Sequence, residues 1–389
     1  MSLPFSDATK RLDAPGEDLW AVHTEALERY SKGEDVLVLS VGDPDFPTPA
    51  YISDHVISQI RNNRTHYSPA AGEPILREAI ANLESRLGPG QFSADEVVVF
   101  PGGTAALFCT LSCLVNPGDE ILVSDPMYVG YQGLFDALGL KVVTVPLVAP
   151  EFELKMADVL VRLSPKTKLV LVNTPGNPCG NVISGDILKE LAAACLKRDI
   201  WLVCDEMYSL FTFETPHVSL LRVVDDRSNI VVIDGLSKSH AMTGWRIGWA
   251  IGSQPVVDAL IRFSGAAFFG VNQFVQDGAA CALDRDAPDV ERMRLEYLKR
   301  RDYAASRLDP LNQLDYFLPQ AGMFIMIDAS PAGMDGQQFA RRLLDETGVS
   351  TIPGGGFGQS TANYVRLSLT KEVDVLAGAF DRIERMLGA

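Results

Sequence analysis

From about residue 50 to 285, short apolar runs alternate with segments of helical spacing. Runs at 96–100, 120–124, 141–145, 168–173, 200–205, 230–233 and 249–251 predict strands. Between them, 105–114, 131–138, 186–196 and 255–263 predict helices by their spacing and their flanking Gly, Pro or Asp. Strand–helix alternation of this kind implies a largely parallel sheet covered on both faces.

The pattern changes near residue 286. A charged helix at 289–308 is followed by strand signals at 323–327 and 364–369 and by helices at 336–347 and 373–387. The expected fold class is therefore α/β, a mostly parallel central sheet with helices on both faces, plus a smaller α+β domain. An amphipathic helix at 19–30 has no other evident partner, which assigns the amino-terminal segment to the smaller domain. The expected division is 48–285 for the large domain and 1–47 with 286–389 for the small one. No internal repeat, low-complexity tract or linker is evident.

Composition fits this picture and narrows the partners. A chain of 389 residues is too long for one ordinary core and suggests two domains. Hydrophobic content of 47% with 22% charged residues is that of a soluble globular chain. A formal charge of −16 argues against nucleic acid or an anionic membrane as partner, yet allows a phosphate cofactor, which needs only a local positive site. No stretch approaches the ~20 apolar residues of a membrane span. The start, Pro4-Phe5-Ser6-Asp7, lacks a basic n-region and an apolar h-region, so no signal peptide is expected. Six cysteines without a CxxC pair fit a reduced, cytoplasmic setting, with Cys109 and Cys113 packing on a helix. The five histidines show no ligand spacing, and no metal site is expected.

Candidate chemistry sits where strands end, because parallel sheets bind ligands at their carboxyl edges. Lys238, in Ser237-Lys238-Ser239-His240, follows the strand at 230–233 and the turn Asp234-Gly235. Desolvation and neighbouring cations lower an amine's pKa, and only the neutral amine attacks a carbonyl to form a Schiff base. Arg246, eight residues on, adds a forked donor suited to phosphate. A Schiff-base lysine beside such an arginine suggests pyridoxal 5′-phosphate (PLP).

Other strand ends supply further candidates, each with an ordinary structural alternative. Phe100-Pro101-Gly102-Gly103-Thr104-Ala105 opens a helix whose free N–H groups suit an anion, or is a strand–helix turn. Asn177 lies in Thr174-Pro175-Gly176-Asn177-Pro178, which either aims its amide inward or is a plain turn. Asp205 ends a buried strand, where a carboxylate needs a cation such as a protonated pyridine nitrogen, or else caps a helix. Holding that proton on makes the ring an electron sink. Tyr208 could donate to the ring's phenolate oxygen. Tyr128 offers a face for stacking or is a core tyrosine. Arg366, on an alternating strand, grips a substrate carboxylate or forms a structural salt bridge. Gly354-Gly355-Gly356-Phe357-Gly358 precedes a strand rather than a helix, so it fails as a dinucleotide loop.

Together these residues resemble the class I/II aminotransferases of PLP fold type I. The resemblance runs from Ser40-Val41-Gly42-Asp43-Pro44-Asp45-Phe46 to Val365-Arg366-Leu367-Ser368, with the motifs in family order. It implies an amino-group transfer between an amino acid and a 2-oxo acid, by a ping-pong route through a Lys238 Schiff base. It further implies that Asp205 partners the pyridinium nitrogen and that Tyr208 and Asn177 bond the ring oxygen. Tyr128 would take the stacking place, and Gly103, Thr104, Ala105 and Arg246 the phosphate cradle. Arg366, helped by the backbone of Gly42, would clamp the α-carboxylate. Tyr67 matches a tyrosine that reaches the phosphate of a neighbouring subunit, which implies a homodimer with shared active sites.

Departures from the family pattern matter for specificity. Gly235 stands where many relatives carry a phosphate-binding Ser, and Asn-Pro-Cys-Gly at 177–180 replaces Asn-Pro-Thr-Gly. No second arginine for a side-chain carboxylate is assignable, which points to basic, aromatic or small apolar substrates over dicarboxylates. Glu17 and Asp18 either favour a cationic side chain or simply cap a helix; the Lys238 stretch also resembles bacterial arginine–pyruvate transaminases. The same scaffold supports β-elimination by carbon–sulfur lyases. Non-catalytic ligand-sensing relatives carry a basic winged-helix segment ahead of the fold. This acidic chain, which begins within a few residues of the fold, argues against that reading.

Overall fold

The computed structural model describes residues 5–12, 19–88, 90–284 and 288–388. In chain order, the strands among them are Leu37–Val38 (β1), Val97–Phe100 (β2), Glu120–Asp125 (β3), Lys141–Pro146 (β4), Thr167–Asn173 (β5), Trp201–Asp205 (β6), Ile230–Gly235 (β7), Gly248–Gly252 (β8), Asp315–Phe317 (β9), Phe324–Asp328 (β10), Val349–Ser350 (β11), Ile352–Pro353 (β12) and Tyr364–Ser368 (β13).

Seven of these form one sheet in the order β2-β8-β7-β6-β5-β3-β4. Only β8 runs against its neighbours; β3 to β7 pair in parallel. Side chains alternate along each strand and so divide the sheet's two faces. Val97, Val99, Val170, Val172, Leu202 and Val232 join one core. Val98, Phe100, Leu169, Leu171, Val203 and Val231 join the core on the opposite face. Burial on both sides explains why these strands are continuously apolar in sequence. Each buried Val or Leu contributes roughly 1.5–3 kcal/mol.

A second, antiparallel sheet has the order β12-β13-β10-β9. Its core collects Phe339 and Leu343 of helix Gly336–Thr347, Leu376 and Phe380 of Val373–Leu387, and Tyr297 of Pro288–Leu308. Val22 and Ala26 of helix Ala21–Ser31 lie in the same core, and β1 pairs in parallel with β11. Helix Asp7–Leu12 instead lies on Gly130–Leu138, where Arg11 Nη2 donates to the Ala137 carbonyl at 2.8 Å. The expected boundary at 285/286 lies outside the described residues.

Helix 336–347 matches its expected span because both ends are chemically marked. Asp335 and Gln338 form a reciprocal capping box at its start, and Gly348 ends it in the left-handed region at φ 69°. Helices Ala50–Arg61, Pro74–Arg86, Met156–Arg162 and Gln273–Leu283 lie outside the expected set. Helix Gln273–Leu283 is buried nearly all round, so it shows no amphipathic stripe. Its buried Asp277 receives two hydrogen bonds from Arg64, at 2.8 and 2.9 Å, which offsets the cost of placing a carboxylate there. The predicted helix at 255–263 runs on to Ala267, through Gly265, since one helical glycine costs only about 1 kcal/mol. No helix of the described residues is long and apolar enough to cross a membrane.

Candidate active site

The carboxyl ends of β2, β3, β5, β6 and β7 open into a cavity of about 530 Å³ that the second sheet closes with Phe324 and Arg366. Helix Gly103–Leu114 points its amino terminus into this space, with Gly103 and Thr104 on the wall. First-turn N–H groups lack partners within their own helix, so this end attracts an anion. Gly102, at φ 96°, lets Arg246 close on the same end: a Cβ there would sit 2.6 Å from Arg246 Nη2. Arg246 Nη1 donates to the Thr243 carbonyl at 2.8 Å and leaves the rest of its fork exposed.

Lys238 follows β7 through Gly235, Leu236 and Ser237. Its Nζ donates to the Gly42 carbonyl at 2.7 Å. Burial lowers its pKa to about 8; Asp43 opposes this, while Arg366 and Arg246 add to it. The amine is therefore partly neutral near physiological pH. A Cβ at Gly235 would lie 2.8 Å from the Ile247 carbonyl oxygen, so the serine expected from relatives would force the backbone to shift. A different hydroxyl, that of Ser237, belongs to a residue lining the same cavity.

Asp205 closes β6. Tyr131 OH donates to its Oδ2 at 2.6 Å and the Met207 N–H to its Oδ1 at 3.1 Å. Burial raises the Asp205 pKa, and these two donors oppose the rise. No helix begins at Asp205, and residues 207–210 form turns, so it is not a helix N-cap. Asn173 braces the neighbouring loops: its Nδ2 donates to the Asp205 carbonyl at 3.0 Å, and its Oδ1 accepts from the Asn177 N–H at 2.8 Å.

Arg366 is 4% exposed and has no carboxylate partner among the described residues. Its Nη1 donates to Asn177 Oδ1 at 2.9 Å and its Nη2 to the Ser40 carbonyl at 3.0 Å. Nε is buried without a hydrogen bond. The guanidinium lies between the rings of Phe324 and Phe357, 4.0 and 4.8 Å from their centroids. Burial lowers its pKa to about 10. A structural salt bridge, the alternative reading from sequence, is absent among these residues. Asn177 Nδ2 continues the chain to Tyr208 OH at 3.3 Å. The Phe357 loop is itself tied to β3: Met127 N–H donates to the Phe357 carbonyl at 2.9 Å, and Asp125 accepts from the N–H groups of Gln359 and Ser360.

Gly42, Gly103, Thr104, Tyr128, Asn177, Asp205, Tyr208, Lys238, Arg246 and Arg366 thus line one cavity. Ala105 does not line it, being one residue further into the helix. Tyr67 lies outside the cavity, 81% exposed, with its ring edge-on to Phe269 at 5.0 Å. Glu17 and Asp18 fall outside the described residues. Sequence reading missed Tyr131, Asn173, Ser237, Asp43, Trp20 and Phe324 as lining residues. The position of Asn173 at a strand end was a usable signal; Tyr131, inside an apolar helix, gave none.

The residues fit PLP. A recess with a helix amino terminus and an exposed arginine suits a phosphate, and a half-buried amine of lowered pKa shares the cavity with a half-buried carboxylate that has donors of its own. Arg366 lines the cavity with no carboxylate partner among the described residues, which leaves its charge for a further anion, as an amino acid would bring. The profile described as "Aminotransferase class I and II" matches residues 34–383. The arginine–pyruvate transaminase of Pseudomonas aeruginosa is 38% identical over 380 residues, covering 97% of each chain. A double mutant of Thermus thermophilus aspartate aminotransferase superposes with a TM-score of 0.92 at 32% identity, covering 99% of this chain and 100% of that one. An aromatic aminotransferase from Pyrococcus horikoshii gives 0.88 at 30% identity, covering 93% and 98%. The chain belongs to the class I and II aminotransferases, PLP-dependent enzymes that move an amino group between an amino acid and a 2-oxo acid.

Proposed function

We propose that this enzyme takes its amino group from an L-amino acid with a basic, aromatic or small apolar side chain, with arginine as first candidate donor and pyruvate as acceptor. The observation that carries the reading is Arg366: a buried guanidinium with an unpartnered Nε and no counter-carboxylate among the described residues. A buried cation of this kind is costly unless an anion joins it, and an α-carboxylate would. Among the described residues three cationic side chains line the cavity, Lys238, Arg246 and Arg366, and each already has a role. None is left for a second substrate carboxylate. Trp20, Val41 and Asp43 also line the cavity and add apolar surface and one carboxylate. The relative named as an arginine–pyruvate transaminase supports arginine and pyruvate as the first pair to test.

When bound, PLP supplies a conjugated ring that draws electrons from the substrate's α-carbon. The side chains do the remaining work. Arg246 with the N–H groups at Gly103 and Thr104 would anchor phosphate. Asp205 would hold the ring nitrogen protonated, Tyr208 and Asn177 would bond the ring oxygen, and Tyr128 would stack on the ring. Arg366 orients the α-carboxylate beside Gly42. Lys238 takes the α-proton at Nζ and returns it, acting as base and then acid. Its lowered pKa places both protonation states within reach near neutral pH.

A homodimer with shared sites accounts for the exposed pair Tyr67 and Phe269, 81% and 64% exposed, as surfaces covered by a second copy. The two sheets support a domain division at 48–285, against 1–47 with 286–389, although helix Asp7–Leu12 packs on Gly130–Leu138 of the larger part. Six free cysteines fit a cytoplasmic setting. The test is a half-reaction screen: each amino acid is mixed with PLP-loaded enzyme and loss of the visible cofactor band is followed. Arginine, lysine, aromatic or small apolar donors should bleach the band and aspartate should not. A band bleached by aspartate alone overturns the substrate assignment. Pyruvate and ammonia released without an acceptor would signal elimination instead.

A further inference from the structure

Tyr131 sits on helix Gly130–Leu138, 3% exposed, and lies within reach of two cofactor-facing residues at once. Its hydroxyl donates to Asp205 Oδ2 at 2.6 Å. Its ring meets Tyr128 edge-on, with centroids 5.3 Å apart. Asp205 receives only one other side-chain or backbone donor at its carboxylate among the described residues, the Met207 N–H at 3.1 Å. Lys238, Arg246 and Arg366 line the same cavity, but none of them forms an ion pair with Asp205 among the described residues, and the other titratable neighbours carry no positive charge. Glu206 and Asp234 are acids, and Cys204, Tyr128 and Tyr208 are neutral at ordinary pH.

We propose that Tyr131 is a positioning residue that keeps Asp205 ionised and aimed at the cofactor's ring nitrogen. This role rests on the reading of Asp205 given above. A hydrogen bond to a charged group is worth more than one to a neutral group, and here it opposes the burial that favours the protonated acid. Burial and the adjacent carboxylate hold the Tyr131 phenol well above its ordinary range, so it remains a donor at every working pH. Without that bond, Asp205 holds a proton more readily and the ring nitrogen loses its counter-charge.

Tyr131→Phe removes one oxygen and keeps the ring that packs on Tyr128 and Phe135, so the fold is retained. Two readouts are taken on the PLP-loaded enzyme: the cofactor's dissociation constant, and the pH midpoint of its visible absorption band. A positive ring nitrogen lowers that midpoint. Tyr131→Phe should weaken cofactor binding about tenfold and move the midpoint to higher pH. Asp205→Asn should move it further in the same direction, and Tyr131→Phe should add nothing in that background. If Asp205→Asn shifts the midpoint but Tyr131→Phe does not, the role of Tyr131 is overturned while that of Asp205 stands. If neither shifts it, both fall. A change in thermal stability alone, with both readouts unmoved, also overturns it.

Discussion

Arg366 and Asn177 are joined by a 2.9 Å hydrogen bond from Nη1 to Oδ1, which links the second sheet to a loop at the end of β5. The same Asn177 donates to Tyr208, so the proposed carboxylate clamp and the proposed ring-oxygen contacts share one side chain. On the proposed roles, substrate binding at Arg366 would thereby be coupled to the groups around the cofactor.

Arg366→Lys tests that coupling. Lysine keeps the charge but loses the fork that bonds Asn177, the Ser40 carbonyl and a carboxylate together. Catalytic efficiency should fall about hundredfold for every amino-acid donor, mostly through KM, with cofactor affinity retained. Steady-state kinetics across several donors checks this; a loss confined to one donor would assign Arg366 to the substrate side chain.

The pH dependence of cofactor uptake follows from Lys238. Only the neutral amine attacks, and burial brings its pKa from 10.5 to about 8. The rate at which cofactor-free enzyme takes up PLP should rise with pH and level off above about 8. Asp43 raises this pKa, so Asp43→Asn should move the inflection to lower pH. Between about 8 and 10.5 the unfolded chain binds the proton and the folded one does not. Stability of the cofactor-free protein therefore rises with pH across that window and bears the full penalty of a buried ammonium below it. Stopped-flow mixing and denaturant titrations over pH 6 to about 11 measure both effects.

Gly235→Ser restores the residue expected from relatives, yet it should harm this enzyme. The added Cβ meets the Ile247 carbonyl at 2.8 Å, so β7 and β8 must part. A loss of roughly 2 kcal/mol in stability is expected, with weaker rather than stronger cofactor binding. Denaturant unfolding and a PLP titration of the variant check both expectations.

The strand ends were legible because buried parallel strands are unbroken apolar runs and their exits carry Gly, Pro or charge. Lys238, Asp205 and Asn177 stood out for that reason. Tyr131 did not, since a tyrosine in an apolar helix has the pattern of core whether or not its hydroxyl meets a carboxylate. Helix Gln273–Leu283 was hidden by burial on all sides, and Asp125's hold on the Phe357 loop by a separation of more than two hundred residues in sequence. Gly235 was legible as a departure, while its cause, a neighbouring backbone, needed the sheet.

The most direct test of the account is chemical. The PLP-loaded enzyme is reduced with borohydride, digested, and the cofactor-labelled peptide identified by mass spectrometry. The account predicts a single label, on Lys238 in the peptide carrying Ser237-Lys238-Ser239-His240. A label on another lysine, or none from enzyme saturated with PLP, would contradict it.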